Sequence, residues 1–475
     1  MIASVRLWPM SAVRRLGLAV APVFALVFAL VFAMVGFAPN ALPVHADAGM
    51  AGGGEYHPLT PARIFDSRSS NGGPIHDVAP LGAKPANGSV PVFNVAILGK
   101  GGVPINAGEV LAVAVSITVT EPTALGYLTA FGKGASAGIS SINNFKAGQT
   151  VANVAIVRPG ADGELSVGLF GTPSGSAHVV IDVFGWFSTS SVAAGAGARL
   201  IPTSPGRILD TRTALNRTPA ATALASGETL TLPIRGVDAA DPAVTDVVPD
   251  LAGVTGVLLN VTGVSTAATF LAVVPESLGG VEPTTSNVNL AANSVKANLV
   301  FAPVGADGSV RIFNLAGPTH VVVDVVGYLQ ISDNAATRAG RVVPLSTPFR
   351  TFDTREATFG NVALGPGQAE DWSFAAFSSS VAIGGTPVGN QLGVIGNLTN
   401  ASLTRQYATV SVASFLTVWP LGATRPESSN LNTSEGSVVP NLAVFRYGTD
   451  STVKVYNLAG NTHYLFDASA VILND

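Results

Sequence analysis

The residues best suited to chemistry sit in a hexapeptide that occurs three times. It reads Arg63-Ile64-Phe65-Asp66-Ser67-Arg68, then Arg207-Ile208-Leu209-Asp210-Thr211-Arg212, then Arg350-Thr351-Phe352-Asp353-Thr354-Arg355. Two guanidinium groups flanking a carboxylate have the charge pattern to grip an anionic glycan or a phosphate, because the planar fork of arginine pairs two oxygens at once. On a regular strand Asp66 and Arg68 would share one face about 6.6 Å apart, at a rise of roughly 3.3 Å per residue, with Arg63 on the other face. The structural alternative is an ion pair that pins the first strand or the turn after it. That alternative is preferred for Arg63, Asp66, Arg68, Arg207, Asp210, Arg212, Arg350, Asp353 and Arg355, since charges set amid apolar strands need partners.

A second block follows each hexapeptide: Ala177-His178-Val179-Val180-Ile181-Asp182, Thr319-His320-Val321-Val322-Val323-Asp324 and Thr462-His463-Tyr464-Leu465-Phe466-Asp467. A His and an Asp four apart on a strand share a face but stand about 13 Å apart. One metal cannot take both, and the Asp cannot orient that His for nucleophilic catalysis. Asp182, Asp324 and Asp467 therefore read as buried carboxylates answered by Arg63, Arg207 and Arg350, or by Arg68, Arg212 and Arg355. His178, His320 and His463 read as hydrogen-bonded residues at the strand start. No catalytic residue, metal site or cofactor is expected: H-E-x-x-H, the P-loop and the dinucleotide fingerprint are all missing. The Gly-Ala-Asp-Gly segments at 160–163 and 305–308 lack the ligand series of a calcium loop and read as turns.

The two blocks organise the whole chain. Between them Ser141, Ser286 and Ser429 correspond, as do Asn144, Asn289 and Asn432, and Asn153, Asn298 and Asn441. Self-similarity at a period near 143 residues marks three copies, at 49–188, 199–330 and 341–475, joined by small polar linkers. Each copy is long enough for its own core, which predicts beads on a string rather than a solenoid. Val- and Thr-rich runs punctuated by Gly, Asp and Pro recur every eight to twelve residues, and no convincing amphipathic helical window appears. The fold class that follows is all-β: three tandem β-sandwiches, jelly-roll or Ig-like, or barrel-like. Near-continuous apolar runs such as Val321 to Val326 read as strands buried on both faces.

Before the copies, Arg6, Arg14 and Arg15 precede an apolar run from Leu16 to Ala38, and small residues around Ala46 suit a signal peptidase. Residues 1–46 thus read as a signal peptide, with an uncleaved anchor as the alternative. The protein is expected to be secreted or at the cell surface, touching membrane only through that segment if it is retained. The chain carries a net charge of −4. Beyond Ala46 the balance is 22 basic against 29 acidic residues, with no basic stripe, so nucleic acid is not an expected partner. There is no cysteine, so disulfide staples and thiolate metal sites are excluded.

With these motifs in view, the chain is similar to a tandem β-repeat domain common in secreted and surface proteins of high-GC Gram-positive bacteria. Its pattern is an opening R-[IL]-L-D-T-R, a central L-N-V-T, an S-N-x-N before a strand ending in N-L, and a closing T-H-V-V-V-D-V-x-G-Y. Copy two matches nearly throughout, at Arg207 to Arg212, Leu259 to Thr262, Ser286 to Asn289, Asn298-Leu299 and Thr319 to Tyr328. Copy one departs at Ser116, where the pattern has Asn, and ends in Gly185-Trp186. Copy three replaces the closing Gly-Tyr by Ala470-Val471, which points to a closing strand packed differently, as an end cap. The resemblance implies an extracellular module without a defined activity.

The expected function is a structural or adhesive role at the cell exterior, without catalysis. A multivalent binder of cell-wall or environmental glycans is the alternative, and a hydrolase with an unrecognised site is a remote one. Surface proteins are further candidate partners. Solvent-facing aromatics would favour glycans, with Tyr127, Trp186, Trp372, Trp419 and Tyr447 as candidates that core packing claims first. The last residues, Ala470 to Asp475, hold no L-P-x-T-G signal or apolar tail, so release or non-covalent retention is expected.

Overall fold

The computed structural model describes residues 52–68, 81–82, 92–171, 175–216, 221–241, 244–245, 247–275, 283, 285–383, 386–401 and 412–475. The expected export segment, 1–46, lies outside the described residues. Within them the β-branched runs form strands, and the one α-helix is the short Ala375–Ser380.

Each copy is a two-sheet sandwich. In copy one the inner sheet pairs an opening strand, Tyr56–Asp66, with a closing strand, Ser176–Ser188. The closing strand pairs on with a second strand, Val110–Thr120, and that with an edge strand, Val151–Val157. The outer sheet runs Val92–Ala96, Glu164–Gly171, Gly126–Gly132, Asn143–Phe145. Copy two repeats the inner sheet as Ala198–Asp210, Thr319–Ile331, Val254–Ser265, Ser294–Pro303, and copy three as Val342–Asp353, Tyr464–Leu473, Gln391–Asn400, Pro440–Arg446. Along the chain these eight strands alternate between sheets as inner, outer, inner, outer, outer, inner, outer, inner. That is the double Greek key of a jelly roll, one of the architectures the sequence allowed.

Alternation sorts the side chains. Val113, Val115, Ile117 and Val119 of the second strand point into the core of copy one, where Leu128, Val167 and Ile181 meet them. The intervening Ala112 and Ala114 point the other way, yet they are as fully buried. They belong to a fourth core, shared by all three copies, that includes Tyr56, Phe187, Leu258, Phe301, Ile395 and Ile472. Every inner sheet is apolar on both faces, one facing its own outer sheet and the other its sister copies.

That shared core overturns the picture of beads on a string. The described residues from 52 to 475 form one compact unit. Tyr56 pairs with Ala198 across copies one and two, and Gly54 exchanges backbone hydrogen bonds with Val342 of copy three at 2.8 and 2.9 Å. The three edge strands touch one another around a pseudo-threefold axis. A second apolar face must be covered to fold at all, and the neighbouring copy covers it at about 25 cal/mol per Å².

Copy three is not capped differently. Its closing strand lies between the same two neighbours as in the other copies, with Ala470 opposite Pro344 where Gly185 lies opposite Pro58. A Cβ at Gly185 would come 2.2 Å from the Tyr56 hydroxyl. The residue equivalent to Tyr56 in copy three is the smaller Val342, so an alanine fits there.

Candidate functional site

The opening strand carries a bulge at the same place in each copy. Arg63 pairs with Asp182 and Phe65 with Ile181, and the shift recurs at Arg207/Leu209 and Arg350/Phe352. The extra residue turns Arg63 onto the side of Asp66, against the regular-strand expectation that it would face away. Arg63 therefore reaches two carboxylates, Asp182 at 3.0 Å and Asp66 at 3.3 Å. Arg207 lies 2.9 Å from Asp324 and 3.8 Å from Asp210, and Arg350 lies 2.8 Å from Asp467 and 3.1 Å from Asp353. The last arginine of each hexapeptide closes on its own aspartate, Arg68 on Asp66 at 2.7 Å, Arg212 on Asp210 at 2.6 Å and Arg355 on Asp353 at 2.5 Å.

Both guanidinium groups thus hold carboxylates of their own chain. Burial pushes the Asp66, Asp210 and Asp353 carboxyls up, but the hydrogen bonds and charge of Arg68, Arg212 and Arg355 outweigh it, and all three lie below the ordinary range. Asp324 and Asp467 are buried more deeply, and there desolvation prevails over Arg207 and Arg350 and raises them.

The histidines join the same block by another route. His178 Nδ1 lies 3.1 Å from the Ser67 hydroxyl, and His320 and His463 lie 3.1 Å from the hydroxyls of Thr211 and Thr354. Each of those hydroxyls also accepts a backbone N–H of the closing strand, from Val179, Val321 and Tyr464. The hexapeptide is stitched to the closing strand by a hydroxyl between its charged residues. Burial lowers the pKa of His463. No cluster of three or more His, Asp or Glu among the described residues is arranged to hold a metal.

What the charged blocks border are the seams between copies. At the seam of copies two and three, Asn260 donates to the Ser429 carbonyl, Asn441 donates to Asn260 at 2.9 Å, and Ser429 N–H donates to Asp324 at 3.1 Å. At the seam of copies three and one, Asn397 donates to the Ser141 carbonyl, Asn153 donates to Asn397 at 3.0 Å, and Arg350 donates to the Ile139 carbonyl at 3.3 Å. The corresponding Asn441 and Asn153 oxygens accept Leu299 N–H at 3.2 Å and Leu442 N–H at 3.1 Å. The repeated asparagines are the bolts between jelly rolls.

The third seam lacks its bolt. Copy one carries Ser116 where Asn260 and Asn397 stand, and a hydroxymethyl is too short to span. A cavity of about 530 Å³ opens there, lined by Ser116, Asp182, Ser286 and Asn298 among others. Solvent reaches in: the Arg63 side chain is 39% exposed, against 17% for Arg207 and 18% for Arg350. Ser116→Asn should restore the pair of bonds and stabilise the protein by about 1 kcal/mol, the net worth of a buried hydrogen bond. A raised urea midpoint would register it, and an unchanged or lowered midpoint would count against the seam assignment.

Sequence reasoning missed one cluster altogether. Glu55, Arg199 and Arg341 occupy equivalent positions, each just ahead of the paired residues Tyr56, Leu200 and Val342. Glu55, 3% exposed, accepts from Arg199 at 3.4 Å, Arg341 at 3.5 Å, Gly195 N–H at 2.9 Å and Gly197 N–H at 3.3 Å. The chemistry of this group is one buried carboxylate shared by a buried guanidinium and a partly buried one, a knot that ties the starts of all three copies.

Of the aromatic candidates, Trp186, Trp419 and Tyr447 are buried in the cores. Trp372 is half-buried and stacks on Phe352, and Tyr127 is half-buried against Phe170 with ring centroids 4.9 Å apart.

No family model and no curated protein matches this chain. Among solved structures it is similar to a protein of Sulfolobus Turreted Icosahedral Virus, at 10% identity and a TM-score of 0.16 over 87% of this chain and 92% of that one. A chain from a study of the triple jelly roll fold and turret assembly in an archaeal virus gives 11% identity and a TM-score of 0.16, over 88% and 90% of the two chains. The N-terminal CBM22-1-CBM22-2 tandem domain of Paenibacillus barcinonensis Xyn10C gives 11% identity and a TM-score of 0.16, over 58% of this chain and 99% of that one. Likenesses at this level carry no argument about function.

Proposed function

We propose that the protein is a non-catalytic scaffold of the cell exterior, with a structural or adhesive role, in which three jelly rolls act as one rigid body. One observation carries the reading: the residues whose types could do chemistry are engaged in holding the copies and their seams together. Arg207 and Arg350 clamp carboxylates of their own closing strands, and Asn260 and Asn397 bridge to the next copy. An outward-facing export product without disulfides gains durability from such internal clamps, and the apolar segment from Leu16 to Ala38 supports the external location.

A glycan-binding reading has one feature in its favour, the half-buried Tyr127 stacked on Phe170 at 4.9 Å, since an exposed ring face is what a sugar stacks on. Co-sedimentation of the purified protein with isolated cell walls and insoluble glycans separates the two. The scaffold reading expects no saturable glycan binding, or wall binding that soluble glycans do not compete. Saturable binding that a soluble glycan abolishes, and that Tyr127→Ala weakens at least tenfold, would replace it with the glycan-binding reading.

A further inference from the structure

The strands' far ends leave a second cavity on the pseudo-threefold axis, away from the Glu55 knot. Glu55 N–H bonds Ser188, which pairs near Val110 at the start of the second strand, whereas the cavity includes Thr150, which bonds Thr120 at that strand's end. All three copies line it, and its volume of about 940 Å³ is that of a small-molecule site.

The repeat exposes an oddity in its wall. Val151, Lys296 and Val439 are equivalent, each two residues ahead of Asn153, Asn298 and Asn441. Two copies present an isopropyl group to the cavity and the middle copy presents an ammonium. Lys296 is half-buried, and among the described residues no Asp or Glu lines the cavity. The other titratable groups in the wall are Lys146, whose Nζ donates to the Gly436 carbonyl at 3.0 Å, and Tyr127. The cavity wall as a whole is largely apolar and includes Phe145, Leu290, Val151 and Val439. Desolvation by that wall pulls the Lys296 ammonium down to about 8. An ammonium facing an apolar cavity without a counter-charge is costly unless something negative meets it.

We propose that the axial cavity binds an amphipathic organic carboxylate, with its apolar chain against Val151, Val439, Phe145 and Leu290 and its carboxylate on Lys296. A charge-assisted hydrogen bond at such a site supplies the specificity for the anion, and the apolar wall supplies the contact area.

Isothermal titration of decanoate, below its micellar concentration, into the full chain at pH 7 tests this. Saturable binding of one decanoate is expected, at least tenfold weaker in Lys296→Val, with 1-decanol bound no better than decanoate binds that variant. Lys296→Val installs the residue that the other two copies carry, and Lys296→Gln keeps the side chain's length and polarity should valine disturb the fold. Wild-type affinity should fall as pH rises through about 8, where Lys296 loses its charge, while the Lys296→Val titration stays flat. Absence of saturable decanoate binding at pH 7 overturns the proposal, as does equal affinity for decanoate with and without Lys296.

Discussion

Glu55→Ala should cost about 3–5 kcal/mol of stability, read as a large fall in the urea midpoint, because it strands the buried Arg199 guanidinium and the partly buried one of Arg341. Arg199 is 2% exposed and its other donors are tied to the carbonyls of Thr337 at 2.9 Å and Asn334 at 2.6 Å, so it cannot swing out to water. Arg341 is held to the knot through its Nη2 on Glu55 at 3.5 Å, and its buried Nε has no partner. Glu55 also anchors the linker through the Gly195 and Gly197 amides, so its loss frees the link between copies one and two. The cost has a specific origin, and a second variant isolates it. Replacing Glu55, Arg199 and Arg341 together with leucine removes the charges along with their partner, and it should recover most of the loss, since buried ion groups are often matched by apolar residues of similar size. If Glu55→Ala lost less than about 1 kcal/mol, the knot would be no more than a surface contact in energetic terms.

Much of this architecture was legible, and the illegible part has a physical cause. The hexapeptides and His blocks set the copies in register, and the double-sided burial of Val321 to Val326 was plain from its composition. What covered the second face was not. An apolar face calls for a partner without naming it, and a linker such as the one from Ser188 to Arg199 is compatible with beads or with a closed trimer of domains. Ser116 stood out as a departure from the pattern, but its meaning depends on Ser286 and Asn298 of another copy.

The Glu55 cluster left no trace because equivalent positions carry different residue types. Alignment by fixed offset also slips there: Pro344 to Arg350 is one residue longer than Pro202 to Arg207, and only strand pairing restores the match. The bulge had a similar effect on the hexapeptide. A period-two strand separates Arg63 from Asp66, and the inserted residue reunites them. Lys296 was open to view as a charge in a position otherwise filled by valine, although periodicity alone could not say that the three positions converge on an axis.

Arg350→Met should also cost about 3–5 kcal/mol, and its pH dependence distinguishes a structural clamp from a ligand grip. Asp467 and Asp353 are each 1% exposed, and Arg350 supplies both with hydrogen bonds, two to Asp467 at 2.8 and 3.0 Å and one to Asp353 at 3.1 Å. Asp353 retains Arg355, so the stranded charge is Asp467. Burial already raises the Asp467 carboxyl with the arginine present, and removing that guanidinium raises it further. The folded variant then holds this proton more tightly than the unfolded chain, whose aspartates titrate near 4, roughly as in peptides. Its stability is therefore greatest in acid and falls as pH rises through the window between about 4 and the raised folded value. Asp353, held below the usual range, contributes the opposite slope, but only as pH falls below about 4. The gap between wild type and Arg350→Met in urea midpoint should accordingly be wide at pH 7 and narrower at pH 5. Arg63→Met should cost under about 1 kcal/mol, because Arg63 is 39% exposed and Asp182 borders a cavity that water can enter. A ligand grip predicts the reverse ranking in stability, with all three copies indifferent to losing the arginine until ligand is added. A pH-independent gap for Arg350→Met would remove Asp467 as the stranded charge, and equal costs at positions 63 and 350 would remove the open seam as the reason copy one differs.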